Sequence, residues 1–129
     1  MRYLGIDYGA KRIGLAVSDE AGGFAFPKAT IPNDANALAY IMQLAEDEGI
    51  AAFVLGDTRT ASGAENPVTY EADRFAERLE EQISIPMHRA WEAWSSVEAG
   101  RFAPDGKHDD SAAAAIILQR FLDSRPKTE

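Results

Sequence analysis

Apolar residues fall along this chain in short blocks whose spacing changes from one block to the next. Residues 3–8 and 13–18 are rich in Ile, Leu and Val, and a polar, glycine-bearing corner at 9–12 separates them. Two such runs around a turn predict a β-hairpin, and their scarcity of polar side chains predicts strands covered on both faces. A third strand is expected over Phe24–Ile31 after the Gly22-Gly23 turn, with Pro27 marking an edge position or a bulge,. Beyond Asp34 the period lengthens. Leu38, Ile41, Met42 and Ala45 form one stripe of a helix that Asp34 would cap and Gly49 would stop,. Residues 50–55 read as another buried strand.

Residues 56–65 are small and polar and read as a loop. Asn66-Pro67 then supplies a cap and a first-turn proline for a helix to Gln82, with Tyr70, Ala72, Phe75, Ala76 and Leu79 expected inward,. A strand over 85–91 follows. A short helix is expected from Ser95 or Ser96 to about Phe102, and an alanine-rich apolar helix from Asp109 or Asp110 to Leu122,. The order is βββαβαβαα. Three strands in succession and then alternation imply a mixed five-stranded sheet with helices on both faces, a pattern that fits an RNase H-like α/β architecture. Residues 1–124 are expected to form one domain and 125–129 a short polar tail.

Composition narrows the chemistry. With 129 residues the chain can bury a real core, and with no cysteine it has neither disulfides nor thiolate metal sites,. Any metal would take oxygen or histidine ligands, which points to Mg²⁺ or Mn²⁺. No run of eighteen apolar residues and no leader pattern is present, so a cytoplasmic protein without membrane contact is expected,. The formal net charge of −8 argues against binding nucleic acid through a broad basic surface,. It leaves room for a small basic patch beside an acidic metal site.

Three acids occupy costly places. Asp7 ends an apolar strand, Glu92 follows a strand between Trp91 and Trp94, and Asp110 opens the apolar helix,. Each also has a plainer role: turn cap, surface acid and helix cap. Should the strands at 3–8 and 86–91 be neighbours, Asp7 and Glu92 would emerge at one sheet edge and Asp110 would close over them. Three carboxylates together repel unless a dication holds them. A pair of Mg²⁺ or Mn²⁺ ions roughly 4 Å apart is the natural occupant, suited to phosphodiester cleavage. Lys11 and Arg12 beside Asp7 are candidates for phosphate contact. His108 is a candidate for phosphate contact or proton transfer, His88 reads as packed or solvated, and Asp19 and Asp57 are reserve candidates.

Gly5-Ile-Asp-Tyr-Gly-Ala-Lys-Arg-Ile-Gly-Leu-Ala-Val-Ser-Asp19 resembles the N-terminal signature of the YqgF/RuvX family. Residues 73–79 are similar to that family's central helix, and Asp110-Ser-Ala-Ala-Ala-Ala-Ile-Ile-Leu-Gln119 to its C-terminal motif. The resemblance implies an RNase H-like, divalent-metal-dependent nuclease of the Holliday-junction-resolvase type. Its substrate would be structured RNA, with 5′-end processing of pre-16S rRNA foremost, or branched DNA, and it would act as a monomer or homodimer. By position, Asp7, Glu92 and Asp110 would be catalytic metal ligands, and Lys11 and Arg12 would contact phosphates. Two departures stand out. Trp91-Glu92-Ala93 replaces the family's Asp-Glu-Arg, and Leu55-Gly56-Asp57 replaces its Gly-Leu-Pro turn. Arg59 or Arg101 would have to stand in for the missing arginine. A non-catalytic nucleic-acid- or protein-binding module that keeps the fold is the alternative. A phosphate-binding lobe like that of the actin-type ATPases is a weaker one, since the chain is too short for a second lobe.

Overall fold

The computed structural model describes residues 1–57, 67–91 and 110–124. Strands β1 (Arg2–Tyr8), β2 (Arg12–Ser18) and β3 (Ala25–Pro32) lead into α1 (Ala37–Glu48), then β4 (Ile50–Asp57), α2 (Pro67–Gln82), β5 (Met87–Trp91) and α3 (Asp110–Ser124). The sheet order is β3-β2-β1-β4-β5. Strands β1 and β2 pair antiparallel, as do β2 and β3, whereas β1 with β4 and β4 with β5 pair parallel. The mixed five-stranded sheet is therefore as expected, with β1 at its centre. The short helix expected after Ser95 lies outside the described residues.

Alternation along the strands builds two cores. Leu4, Ile6, Ile13, Leu15, Phe53 and Leu55 point to one face, where α1 lays Ile41 and Ala45 and α2 lays Ala72, Phe75, Ala76 and Leu79 upon them,. Tyr3, Ala16, Ala52 and Val54 point to the other face, beneath Ala114, Ile117, Leu118 and Leu122 of α3. The second core is the smaller in side-chain volume, because α3 lies unusually close to the sheet. A Cβ on Gly5 would stand 2.9 Å from Leu118 Cβ and 3.1 Å from the Ala114 carbonyl oxygen. Glycine in the strand and alanine in the helix let the two backbones approach.

Local signals held with specific exceptions. Gly49 ends α1 in the left-handed region at φ 65°. Pro27 sits in an edge strand beside a bulge, where the β2–β3 register skips between Leu15 and Ala16. Asp34 does not cap α1 directly. Its Oδ1 accepts from the Asn36 amide at 2.9 Å, so it closes the turn that precedes the helix, and Asn36 occupies the cap without a side-chain bond. Tyr70, expected inward, is 63% exposed. The buried stripe at 72, 75, 76 and 79 explains why. A residue two before Ala72 is turned about 200° away from it.

Candidate active site at the sheet rim

Strands β1, β3, β4 and β5 all run the same way, so Tyr8, Pro32, Asp57 and Trp91 end at one rim. Helices α1, α2 and α3 return from that rim and present their N-termini there. Asp7 is the penultimate residue of the central strand, and Asp110 is the first residue of α3. An acid in the first turn of α3 also suits the positive end of the helix dipole.

A single row of residues across three strands brings the two acids together. Asp7 is the register partner of Gly14, and Gly14 of Thr30. Partners in an antiparallel pair have Cα atoms roughly 4.5–5.5 Å apart. The first turn of α3 lies on this row. A Cβ at Gly14 would fall 1.9 Å from the Asp110 carbonyl oxygen, so only glycine leaves space for the helix backbone. The Ser111 amide donates to Thr30 Oγ1 at 3.1 Å, which fixes the same turn one strand further along. Tyr3 and Gly5 face α3, so alternation along β1 places Asp7 on that face too,. The Asp110 backbone thus lies over Gly14, the ladder partner of Asp7.

Arg12 belongs to the same corner. Its Nε donates to Asp110 Oδ2 at 2.9 Å, with the Asp110 side chain only 15% exposed and that of Arg12 57% exposed. The guanidinium supplies the positive charge that a partly buried carboxylate demands. Lys11 is exposed at the turn. The turn itself is held by Gly9, whose amide donates to the Arg12 carbonyl at 3.0 Å, and by Asn33. Asn33 Nδ2 donates to the Gly9 carbonyl at 2.8 Å, and the Asn33 amide to the Lys11 carbonyl at 2.9 Å.

Other candidates are placed elsewhere. Strand β2 runs opposite to β1, so Asp19 lies at the far rim, where its Oδ1 accepts from the amides of Gly23 at 2.8 Å and Phe24 at 3.2 Å. Those amides, Phe24 first, hold its carboxyl below the usual carboxylate range, and Asp19 is a turn cap,. The His88 ring packs against Phe121 at 5.1 Å between centroids. The assumed adjacency of the strands carrying Asp7 and Glu92 is incorrect, because β4 separates β1 from β5. The two strands nevertheless end at the same rim. Glu92, Arg59, His108, Asp109, Trp94 and Arg101 lie outside the described residues. Among the described residues, no three His, Asp or Glu side chains form a metal-holding group.

Gly14, Thr30 and Asn33 were not singled out from the sequence. A glycine inside an otherwise apolar strand was a usable signal for a close backbone approach. Thr30 and Asn33 carried none, since their roles depend on partners distant along the chain.

The strand order, with β2 antiparallel between parallel neighbours, two of the described helices on one face and one on the other, and an acid one residue from the end of the central strand, defines an RNase H-like domain. Solved structures agree on the fold. Thermus thermophilus RuvC in complex with a Holliday junction substrate matches with a TM-score of 0.62 at 13% identity, over 95% of this chain and 94% of that one. The fowlpox virus resolvase in complex with Holliday junction DNA matches with a TM-score of 0.59 at 13% identity, over 96% of this chain and 98% of that one. Residues 1–124 match the family described as RuvX, Holliday junction resolvase, and the chain belongs to that family. Among its relatives is an Oleidesulfovibrio alaskensis protein named "Putative pre-16S rRNA nuclease", 37% identical over 95% of this chain and 92% of its own. A Lactobacillus gasseri protein of the same name is 31% identical over 98% of this chain and 99% of its own.

Proposed function

We propose that this protein is a divalent-metal-dependent endonuclease that hydrolyses phosphodiester bonds in structured nucleic acid, with the 5′ end of pre-16S rRNA as its substrate. The observation that carries the proposal is the approach of Asp110 to Asp7 across Gly14 at the rim of the central strand. The donor set fits Mg²⁺ or Mn²⁺. Both acids are hard oxygen ligands, and Asp110 already holds a cationic group at 2.9 Å,. Asp7 and Asp110 would hold the ion, with Glu92 as the third ligand by its place in the sequence. When bound, such an ion activates a water and offsets charge on the leaving oxygen. Lys11 and Arg12 meet the phosphate. Arg12 is engaged with Asp110, so a substrate phosphate competes with that carboxylate for the same guanidinium.

The names of the relatives favour RNA, and the resolvase description of the family keeps branched DNA as a second substrate class. The test is cleavage of a pre-16S rRNA fragment and of a four-way DNA junction, with and without Mg²⁺ or Mn²⁺. Loss of an outer-shell partner already costs about 10–100-fold at metal sites, so Asp7→Asn is expected to lower cleavage by roughly a hundredfold or more. Wild-type rates in Asp7→Asn would overturn the assignment. The Trp91-Glu92-Ala93 departure favours the rival reading, a binding module without chemistry. That reading requires nucleic-acid binding indifferent to metal, with no cleavage by the wild type.

A further inference from the structure

Behind the β1–β2 turn, on the opposite face of the sheet from Asp110, lies a pocket of about 300 Å³. Tyr8, Phe75 and Leu38 line its apolar part, with Arg74, Arg78 and Tyr70 around it. The volume is at the small end of ligand sites and suits a single base. Tyr8 follows Asp7 directly, and Asn33, which also lines the pocket, holds the Gly9 and Lys11 carbonyls. The pocket and the two acids therefore flank one hydrogen-bonded turn from opposite faces of the sheet.

Its chemistry is specific. Tyr70 presents an aromatic ring that is 63% exposed on a strongly acidic protein. Its ring has a partner one helical turn on. Arg74 donates from Nη1 to the Tyr70 hydroxyl at 3.0 Å, and its guanidinium lies 5.8 Å from the ring centroid,. Arg78, one helical turn on, is exposed and has no ion pair among the described residues. An exposed aromatic face beside a guanidinium without an ion pair, that of Arg78, is a means by which proteins hold unstacked nucleotides. Asp34 and Glu71 also line the pocket and balance the two arginines. A bare polyphosphate gains little there, whereas a base stacked on Tyr70 with one phosphate on Arg78 uses both features.

We propose that this pocket binds a single-stranded nucleotide of the substrate, splayed from the helix next to the bond held at Asp7 and Asp110. The pocket thereby selects single-stranded segments adjoining the cut. This rests on the nucleic-acid reading of the rim but not on its catalytic competence. The test is fluorescence anisotropy of a labelled single-stranded oligonucleotide with the full chain in EDTA, so that cleavage plays no part. Tyr70→Ala removes one base stack and is expected to weaken binding roughly tenfold, and Tyr70→Phe to retain most of it. Arg78→Gln is expected to reduce the slope of log affinity against log salt by about 0.7, one phosphate contact on a single strand. Inorganic pyrophosphate is expected not to compete. Both side chains are exposed, and circular dichroism checks that the variants fold. Wild-type affinity and salt slope in Tyr70→Ala and Arg78→Gln would overturn the pocket while leaving the nuclease assignment intact, as would absence of any oligonucleotide binding by the wild type. Tyr70-dependent binding by a protein that never cleaves would sink the nuclease assignment and keep the pocket.

Discussion

Replacing Gly14 by alanine is the sharpest probe of the rim. The added Cβ would sit 1.9 Å from the Asp110 carbonyl oxygen, 2.3 Å from its carbonyl carbon and 2.9 Å from its Cβ. Ordinary contact begins near 3.4 Å, so the helix start must retreat by roughly 1.5 Å, because cores this dense have no slack to absorb the methyl,. None of the three atoms is the free end of a flexible side chain, so the movement falls on the backbone of α3. Overpacking of this kind costs about 1–3 kcal/mol. A displacement near 1 Å at a reacting centre costs about 10²-fold in rate. Gly5→Ala supplies the comparison. Its Cβ would also press on α3, at Leu118 and Ala114, but at 2.9 and 3.1 Å and further down the helix. Urea denaturation and cleavage kinetics should separate the two. Both variants lose stability, whereas Gly14→Ala alone loses cleavage by about a hundredfold while still folded at assay temperature. Gly14→Ala that cleaves at the wild-type rate would refute the placement of Asp110 as a working part of the site.

Two further outcomes follow from single contacts. Arg12→Gln breaks the 2.9 Å bridge to Asp110, but the arginine is more than half exposed and screened by solvent, so stability should move by less than about 1 kcal/mol,. Cleavage should fall chiefly through a higher KM; an unchanged KM in steady-state kinetics would remove Arg12 from phosphate contact. Asp19 is bonded as a carboxylate, and its folded pKa lies below the unfolded value of about 3.9,. Its contribution is fully present above that unfolded value and is lost as pH falls through the folded one. The Tm advantage of wild type over Asp19→Asn should hold at neutral pH and shrink below about pH 4 in thermal melts.

Much of this fold could be read from local pattern, and the failures have identifiable causes. β1, β2 and β4 were readable because strands covered on both faces are continuous apolar runs, and α2 because proline suits a first helical turn. The same continuity hides strand order. A strand apolar on both faces gives no sign of its neighbours, so the pattern leaves open whether β1 and β5 are adjacent, and only the fold shows β4 between them. The apolar ring of Tyr70 suggests an inward place, but its phase relative to Ala72 and Phe75 excludes it from the buried stripe,. The acids at 7 and 110 stood out as charges in apolar surroundings. What joins them is a glycine, and its meaning appears only when the helix lies upon it.

Net charge sums over the whole surface, whereas a strand bound at one rim would sense only the charges near it. At physiological salt the screening length is about 8 Å. β1 has seven residues at about 3.3 Å each, so the two rims stand roughly 20 Å apart,. Glu20, Glu46, Asp47 and Glu48 crowd the far rim around Met1 and Arg2. Lys11, Arg12, Arg74 and Arg78 lie at the rim of Asp7, beside the N-termini of three helices. Acids two screening lengths away would scarcely oppose a phosphate at the near rim. In a chain of net charge −8, the four cations beside Asp7, Asp34, Glu71 and Asp110 leave this rim close to neutral while the far rim stays acidic, so the folding sorts the charges by end.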